Sequence, residues 1–382
     1  MKDIVFSIDP DIIVGVGTLN RAGIVCEAIG NRALIVTERN LHSNQCIERL
    51  VNILKDSSVE AIVFDEVPAQ ATADIAEKAS ELANSGRCSL IIGFGGLKTQ
   101  AIARLCAILS ASDNGLFEIL DGEHSTLNCI PYVGIPTSGR DPFIFTDYFI
   151  VVDPRDRIIK QVKAPRKLCA AVLFDGQLAE SMAGSFAVTM AFDGFCCAVE
   201  AYCSRRANFI SDTLLERAIA LYSQLIRNIG GNDLGNIAEL SINAGLSMAL
   251  GTMLSAPGLG IALSHSVNGR FPISKSWCTT IILPSIMERL ITVRPEKIAT
   301  VAKIMEEAVA GESVSDTAER AVGAIRQYMH HLNVSAQFKD LNLPTDKIMP
   351  LAQAAQSMGF VAFSPWTITT EAAFEILHEA FC

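Results

Sequence analysis

An α/β first half built on a parallel sheet, followed by an all-helical second half, is the fold class this sequence predicts. Three observations carry the prediction. Short apolar runs alternate with helix-spaced segments up to about residue 178, strand patterns then cease, and a lone carboxylate, Asp193, interrupts an apolar helical run. The expected domains are therefore 1–178 and 179–382.

In chain order, Asp11 to Gly17 reads as a strand ending in glycines, and Leu19 to Ile29 has helical spacing. Arg32 to Glu38 is a second strand, followed by a helix through Leu50 to Leu54. Val59 to Phe64 and Ser89 to Gly93 are strands separated by a helix from Thr72 to Asn84, and another helix runs from Gln100 to Leu109. Tyr148 to Val152 and Ala170 to Phe174 complete the strands. Alternation of this kind builds a parallel sheet covered on both faces, and such sheets bind ligands beyond the carboxyl ends of their strands. Two strand ends stand out. Glu38 is placed to accept hydrogen bonds from a ribose 2′-hydroxyl and to disfavour a 2′-phosphate, which points to NAD over NADP. The turn containing Gly95, Gly96, Leu97 and Lys98 precedes a helix start, where close backbone approach and unpaired N–H groups suit a pyrophosphate. A further stretch, Gly134 to Pro142, carries Thr137 and Ser138; its hydroxyls suit phosphate or nicotinamide, against the plainer reading of a surface turn.

From Glu180 onward the apolar patterns run Phe186–Cys203, Thr213–Ile229, Ile237–Leu254, Gly258–Val267, Thr279–Leu290, Ala299–Val309, Val314–Leu332 and Thr370–Ala380. Asp193 and Cys197, four apart, share one helix face. A buried carboxylate must be hydrogen-bonded, paired with a cation or bound to a metal. The polar segment from His265 to Lys275 is expected to be a loop bordering a cleft. His265 is a candidate proton carrier there, or else a structural histidine. The remaining histidines, His42, His124, His330, His331 and His378, show no ligand spacing.

Composition excludes some partners. The chain has 382 residues, a net charge of −10 and no basic run, which argues against nucleic acid. Only 19% of residues are charged and 50% are hydrophobic, so part of the surface is expected to be covered in a homodimer. Eleven scattered cysteines, odd in number, indicate reduced thiols and a cytoplasmic location. The N-terminal residues lack the continuous apolar core of a secretory signal. Leu240 to Gly269 is uncharged, yet its serines, glycines and Pro257 favour two buried helices over a membrane span.

The order of these segments resembles the iron-containing (group III) alcohol dehydrogenases across essentially the whole chain. The resemblance is carried by Asp11 to Gly17, Leu34 to Glu38, Phe64-Asp65-Glu66-Val67-Pro68, the glycine turn, Ile135-Pro136-Thr137, Asp193 with Glu200-Ala201-Tyr202, Ser264-His265 to Leu283-Pro284, and Ser364 to Thr369. It implies a dehydroquinate synthase-like fold, with a dinucleotide-binding α/β domain, a helical domain and a metal in the cleft between them. It also implies hydride transfer between a nicotinamide cofactor and a small alcohol or aldehyde. The family's metal is held by one aspartate and three histidines. Carried over, the aspartate is Asp193, while the histidine positions hold Cys197, Ile261 and Lys275, and His265 matches a histidine near the substrate. The family's Gly-Gly-Gly-Ser-x-x-Asp-x-x-Lys reads Gly95 to Arg104, with Leu97 in place of the third glycine. Lys160 and Leu178 match further cofactor contacts, and Glu38 replaces the usual aspartate.

Three readings follow. Lys275 pairs with Asp193 and polarises the substrate oxygen in place of a metal, with His265 beside them. Alternatively, Asp193, Cys197 and His265 hold zinc. Or catalysis has lapsed, leaving a scaffold that binds a small molecule or regulates.

Overall fold

The computed structural model describes residues 4–42, 45–123, 127–179, 184–230, 237–334 and 345–381, so His124 lies outside the described residues. The chain divides into two compact units, Met1–Ser181 and Met182–Cys382.

In the first unit the elements are β1 (Asp11–Gly15), α1 (Ala22–Glu27), β2 (Arg32–Thr37), α2 (Cys46–Asp56), β3 (Glu60–Phe64), α3 (Asp74–Ser85), β4 (Leu90–Gly95), α4 (Leu97–Leu109) and α5 (Leu116–Asp121). They continue with β5 (Tyr132–Pro136), β6 (Tyr148–Val152), β7 (Ile159–Lys163), β8 (Cys169–Asp175) and α6 (Gly176–Ala179). Six strands pair in the order β1, β8, β5, β4, β2, β3, every pair parallel. The continuous apolar runs of β2 and β4 follow from this, because a central parallel strand is buried on both faces. On one face Ala33, Ile35, Ile92, Phe94, Val133 and Ile135 pack with Ala22, Cys26, Leu50 and Leu54 of α1 and α2. On the other, Gly93 lies against Ala103 and Gln100 of α4. The chain leaves β2 outward to β3 and returns on the opposite side of β2 as β4. The carboxyl ends of β2 and β4 therefore flank the point where strand order reverses, where such sheets hold ligands.

The structure corrects the reading of residues 134–142 as a turn over its first three residues, while 137–140 are bend and turn. Gly134 to Pro136 belong to β5, a central strand, and β7, also absent from the sequence expectations, forms an antiparallel hairpin with β6. The glycine explains why β5 was illegible. Gly134 is the parallel partner of Gly93, and a Cβ at Gly93 would stand 2.9 Å from the Tyr132 ring. The space is filled by Tyr132, whose hydroxyl donates to Gln100 Oε1. Gln100 Nε2 in turn donates to the carbonyls of Gly93 at 2.9 Å and Gly95 at 3.0 Å, fastening α4 to the end of β4.

The second unit is helical: α7 (Gly184–Cys203), α8 (Phe209–Gly230), α9 (Ile237–Leu254), α10 (Leu259–Arg270), α11 (Lys275–Val293), α12 (Pro295–Ile304), α13 (Val314–His331), α14 (Thr345–Gln356) and α15 (Thr370–Phe381). Helix α14 was not expected; Pro350 inside it disguises the pattern. The loop expected from His265 to Lys275 is also corrected. Helix α10 continues through Arg270 and α11 begins at Lys275, so only residues 271–274 connect them and His265 is helical and buried. Helix α9 is long and apolar enough to cross a membrane by length and composition, and it packs on α7 and α8.

Helix α7 is the hub, touching α8, α9, α10 and α11 with buried Phe192, Phe195, Cys196 and Val199. Its approach to α8 needs Gly194, where a Cβ would stand 2.1 Å from the Tyr222 ring. An aromatic ring packed in a core cannot yield by that much. Gly194→Ala is expected to lower unfolding stability by about 1–3 kcal/mol despite the better helix propensity of alanine. Denaturant titration checks this, and an unchanged midpoint would show that α7 and α8 can separate.

Candidate functional site

Asp193 on α7 is 1% exposed, and Lys275, the first residue of α11, is 4% exposed. Lys275 Nζ donates to Asp193 Oδ1 at 2.5 Å. The helix start is set by Ser274, whose hydroxyl accepts the Trp277 N–H at 3.2 Å. That cap fixes where α11 begins and so where the ammonium enters the unit. Both charges have left water, which costs several kcal/mol each, roughly, and each offsets the other's cost.

Three thiols surround the pair electrostatically. Burial pushes Cys196, Cys197 and Cys278 well up from the usual thiol range, Lys275 opposing it in each case. They are neutral, and the Cys197 Sγ lies 4.0 Å from Thr252 Oγ1. Among the described residues no three His, Cys, Asp or Glu side chains converge to hold a metal ion. Of the zinc alternative's three residues, Asp193, Cys197 and His265, the aspartate has its carboxylate on the Lys275 ammonium. The family's metal fits no better. Of the four positions the resemblance assigns, only Asp193 offers an anionic donor, Ile261 offers none, and the Lys275 ammonium sits on that donor.

A second buried carboxylate went unassigned in the sequence. Glu200, two turns along α7 from Asp193, accepts the N–H of Gly260 at 2.7 Å and of Ile261 at 3.2 Å. It thereby closes the start of α10. Gly258 and Gly260 make room for it, since a Cβ at Gly258 would stand 2.4 Å from Oε1. Burial pushes Glu200 up to about 7, against the lowering effect of those N–H groups and of Lys275. The seven-residue spacing from Asp193 and the Pro257-Gly258-Leu259-Gly260 stretch were the available signals.

At the strand ends of the first unit, Gly95 has φ +157°, and a Cβ there would lie 2.8 Å from Thr99. Gly96 caps α4 in extended conformation. The Glu38 carboxylate turns inward, its Oε1 accepting the Gly96 N–H at 3.0 Å and the Thr99 hydroxyl at 2.6 Å. Leu97 is 8% exposed. Lys98 Nζ donates to the Ala69 carbonyl; burial, then Arg140, lower it to about 8. The Thr137 N–H donates to the Gly95 carbonyl at 3.0 Å, which brings Thr137 to the turn, and Ser138 is buried. Lys160, by contrast, lies on the β6–β7 hairpin beside Asp121 at 3.5 Å and Asp153 at 3.9 Å. Leu178 belongs to the apolar core.

A buried ion pair that sequence reasoning missed holds the segment after β5. Arg104 donates to Asp141 Oδ2 at 2.8 Å and to the Phe143 carbonyl at 2.7 Å, and lies 5.0 Å from the Phe149 ring centre. Arg104 and Asp141 are 37 residues apart, so no local pattern announces them.

A six-stranded parallel α/β sheet with a glycine turn where strand order reverses, followed by a helical unit with a buried aspartate, is the fold class of this chain. The sequence matches "Iron-containing alcohol dehydrogenase" over residues 9–176 and "Fe-containing alcohol dehydrogenase family, C-terminal" over 187–381; the chain belongs to the iron-containing alcohol dehydrogenase family. It is 20% identical to an NAD-dependent methanol dehydrogenase of Bacillus methanolicus, over 98% of this chain and 99% of that protein. It is 22% identical to a 1,3-propanediol dehydrogenase of Klebsiella pneumoniae, over 96% of each. Among solved structures, a 1,3-propanediol oxidoreductase superposes with a TM-score of 0.91 at 19% identity over 100% of both chains. A sulfoacetaldehyde reductase from Bifidobacterium kashiwanohense in complex with NAD+ superposes with a TM-score of 0.82 at 14% identity, covering 100% of this chain and 99% of the other.

Two outcomes are expected. Lys275→Met, leaving Asp193 buried and uncompensated, should destabilise the protein by about 3–5 kcal/mol, with much of the loss recovered in a Lys275→Met, Asp193→Leu double variant. If the single variant were as stable as the wild type, the pair would not be buried in solution. Glu200 holds its proton more tightly folded than unfolded, so between about pH 4.5 and 7 the unfolded chain releases a proton that the folded chain keeps. Stability should fall as pH rises through that window and level off above it, and Glu200→Gln should flatten the slope in urea titrations at stepped pH.

Proposed function

We propose that this chain is an NAD-linked oxidoreductase that interconverts a small alcohol and its aldehyde, with the Lys275 ammonium in place of a metal ion. The observation that carries the reading is the buried Lys275–Asp193 pair at 2.5 Å, a cation held on the one metal-ligand position this chain keeps. In the first unit, the backbone at Gly95, Gly96 and Leu97, the Lys98 side chain, Thr137 and Ser138 would hold the dinucleotide. The positive-φ glycine and the start of α4 make a cradle suited to phosphate. When bound, the nicotinamide supplies or accepts the hydride. In the second unit, Asp193 fixes the Lys275 ammonium, and its N–H groups draw electron density from a carbonyl oxygen and stabilise the alkoxide that forms on it. A preorganised cation in a dry site needs no reorganisation as charge develops. His265, buried on α10, would serve as the proton carrier. Relatives bearing names of methanol, 1,3-propanediol and sulfoacetaldehyde enzymes support a short substrate with one reacting carbon.

A second reading, a family member that binds a small molecule or regulates without catalysis, is favoured by one observation. Leu97 replaces the third glycine, and Glu38 already holds the Gly96 N–H.

Nucleotide-dependent thermal unfolding separates the readings. NADH at a hundred times its Kd should stabilise the protein by about 2.7 kcal/mol, and NADPH should do less. With no shift from either nucleotide, the scaffold reading would stand. Where NADH binds, Lys275→Met assayed below its unfolding temperature should abolish aldehyde reduction while NADH affinity is kept; undiminished turnover would remove Lys275 from the chemistry.

A further inference from the structure

We infer that Glu38 is an internal anion that competes with cofactor phosphate for the start of α4, and so sets how tightly the chain binds a dinucleotide. The inference deepens the nucleotide reading above and rests on it. Glu38 follows the last residue of β2, and Thr37 of β2 is the parallel partner of Phe94 of β4. Its side chain therefore starts beside the end of β4, next to the glycine turn. From there the carboxylate spans to α4, where Oε1 takes the Thr99 hydroxyl at 2.6 Å and the Gly96 N–H at 3.0 Å. One oxygen thus joins the turn and the first helical turn, as a phosphate oxygen would. The chemistry is the same in both cases, an anion placed where backbone N–H groups and the helix start favour negative charge.

Thr99 makes the arrangement specific. It packs beneath the turn, close enough that any side chain at Gly95 would strike it, so its hydroxyl is a fixed donor rather than a mobile one. Gly96 leaves the carboxylate room, because even a Cβ there would stay 3.5 Å from Oε1. An incoming phosphate meets a negative charge already bonded to the N–H it needs, and Glu38 must withdraw before it can settle. Aspartate, one methylene shorter, would keep the charge at the strand end but fall short of bridging both donors.

The test uses the full chain, with inorganic pyrophosphate and NADH as probes in isothermal titration. Glu38→Asp should bind both at least about tenfold more tightly than the wild type. Thr99→Val, which removes one of the two donors and leaves the charge untouched, should shift affinity in the same direction by a smaller factor. Tighter pyrophosphate binding by Glu38→Asp with no NADH binding in either protein would uphold the anion competition and sink the dinucleotide reading. Weaker NADH binding by Glu38→Asp would overturn the inference and make Glu38 a direct cofactor ligand. Equal pyrophosphate affinity in wild type and both variants would overturn it as well.

Discussion

A carboxylate taken out of water must be answered by a positive charge, a metal or a set of hydrogen-bond donors, and in this chain Asp193 is answered by Lys275. Much of the second unit follows from that pairing. Helix α7 must carry the aspartate inward, α11 must begin where its first residue can reach it, and the Ser274 cap fixes that beginning. The same low polarity that makes the pair necessary keeps the neighbouring thiols protonated and pushes Glu200 upward. Glu200 is answered differently from Asp193: it takes the backbone N–H groups that open α10. One helix thus carries two buried acids, each neutralised by a separate device.

The pairing of Asp193 with Lys275 is chemically coherent. A buried aspartate with no counter-charge would bear its full desolvation cost. Placing an ammonium on it offsets that cost and puts a positive charge there. The backbone N–H of Ile261 donates to Glu200.

The first unit shows a parallel economy of contacts at its strand ends. Gln100 and Arg104, both on α4, fasten respectively the end of β4 and the segment after β5, while Glu38 joins β2 to the start of the same helix. Three strand ends are thereby tied to α4. The glycine turn is rigid because side chains from outside the turn hold it on several sides, and the glycines themselves supply only the room.

The alternation of β2, α2, β3, α3, β4 and α4 was legible because central parallel strands are apolar throughout and their helices carry an apolar stripe. The puzzle posed by Asp193 was legible too, since a charge in an apolar helix demands a partner, while Lys275 was offered as that partner only by the resemblance. Strand β5 was not, because Gly134 is set by the space around Tyr132 and Gly134 and Pro136 carry no strand signal of their own. Nor were the Arg104–Asp141 pair, the seat of Glu200 on α10 and the inward turn of Glu38. Each joins residues brought side by side only by sheet order or helix packing, and spacing along a chain carries no record of such proximity. Local pattern determined which segments are helix or strand and where a charge needed company; tertiary packing alone decided which partner each charge found, because that depends on distance in space.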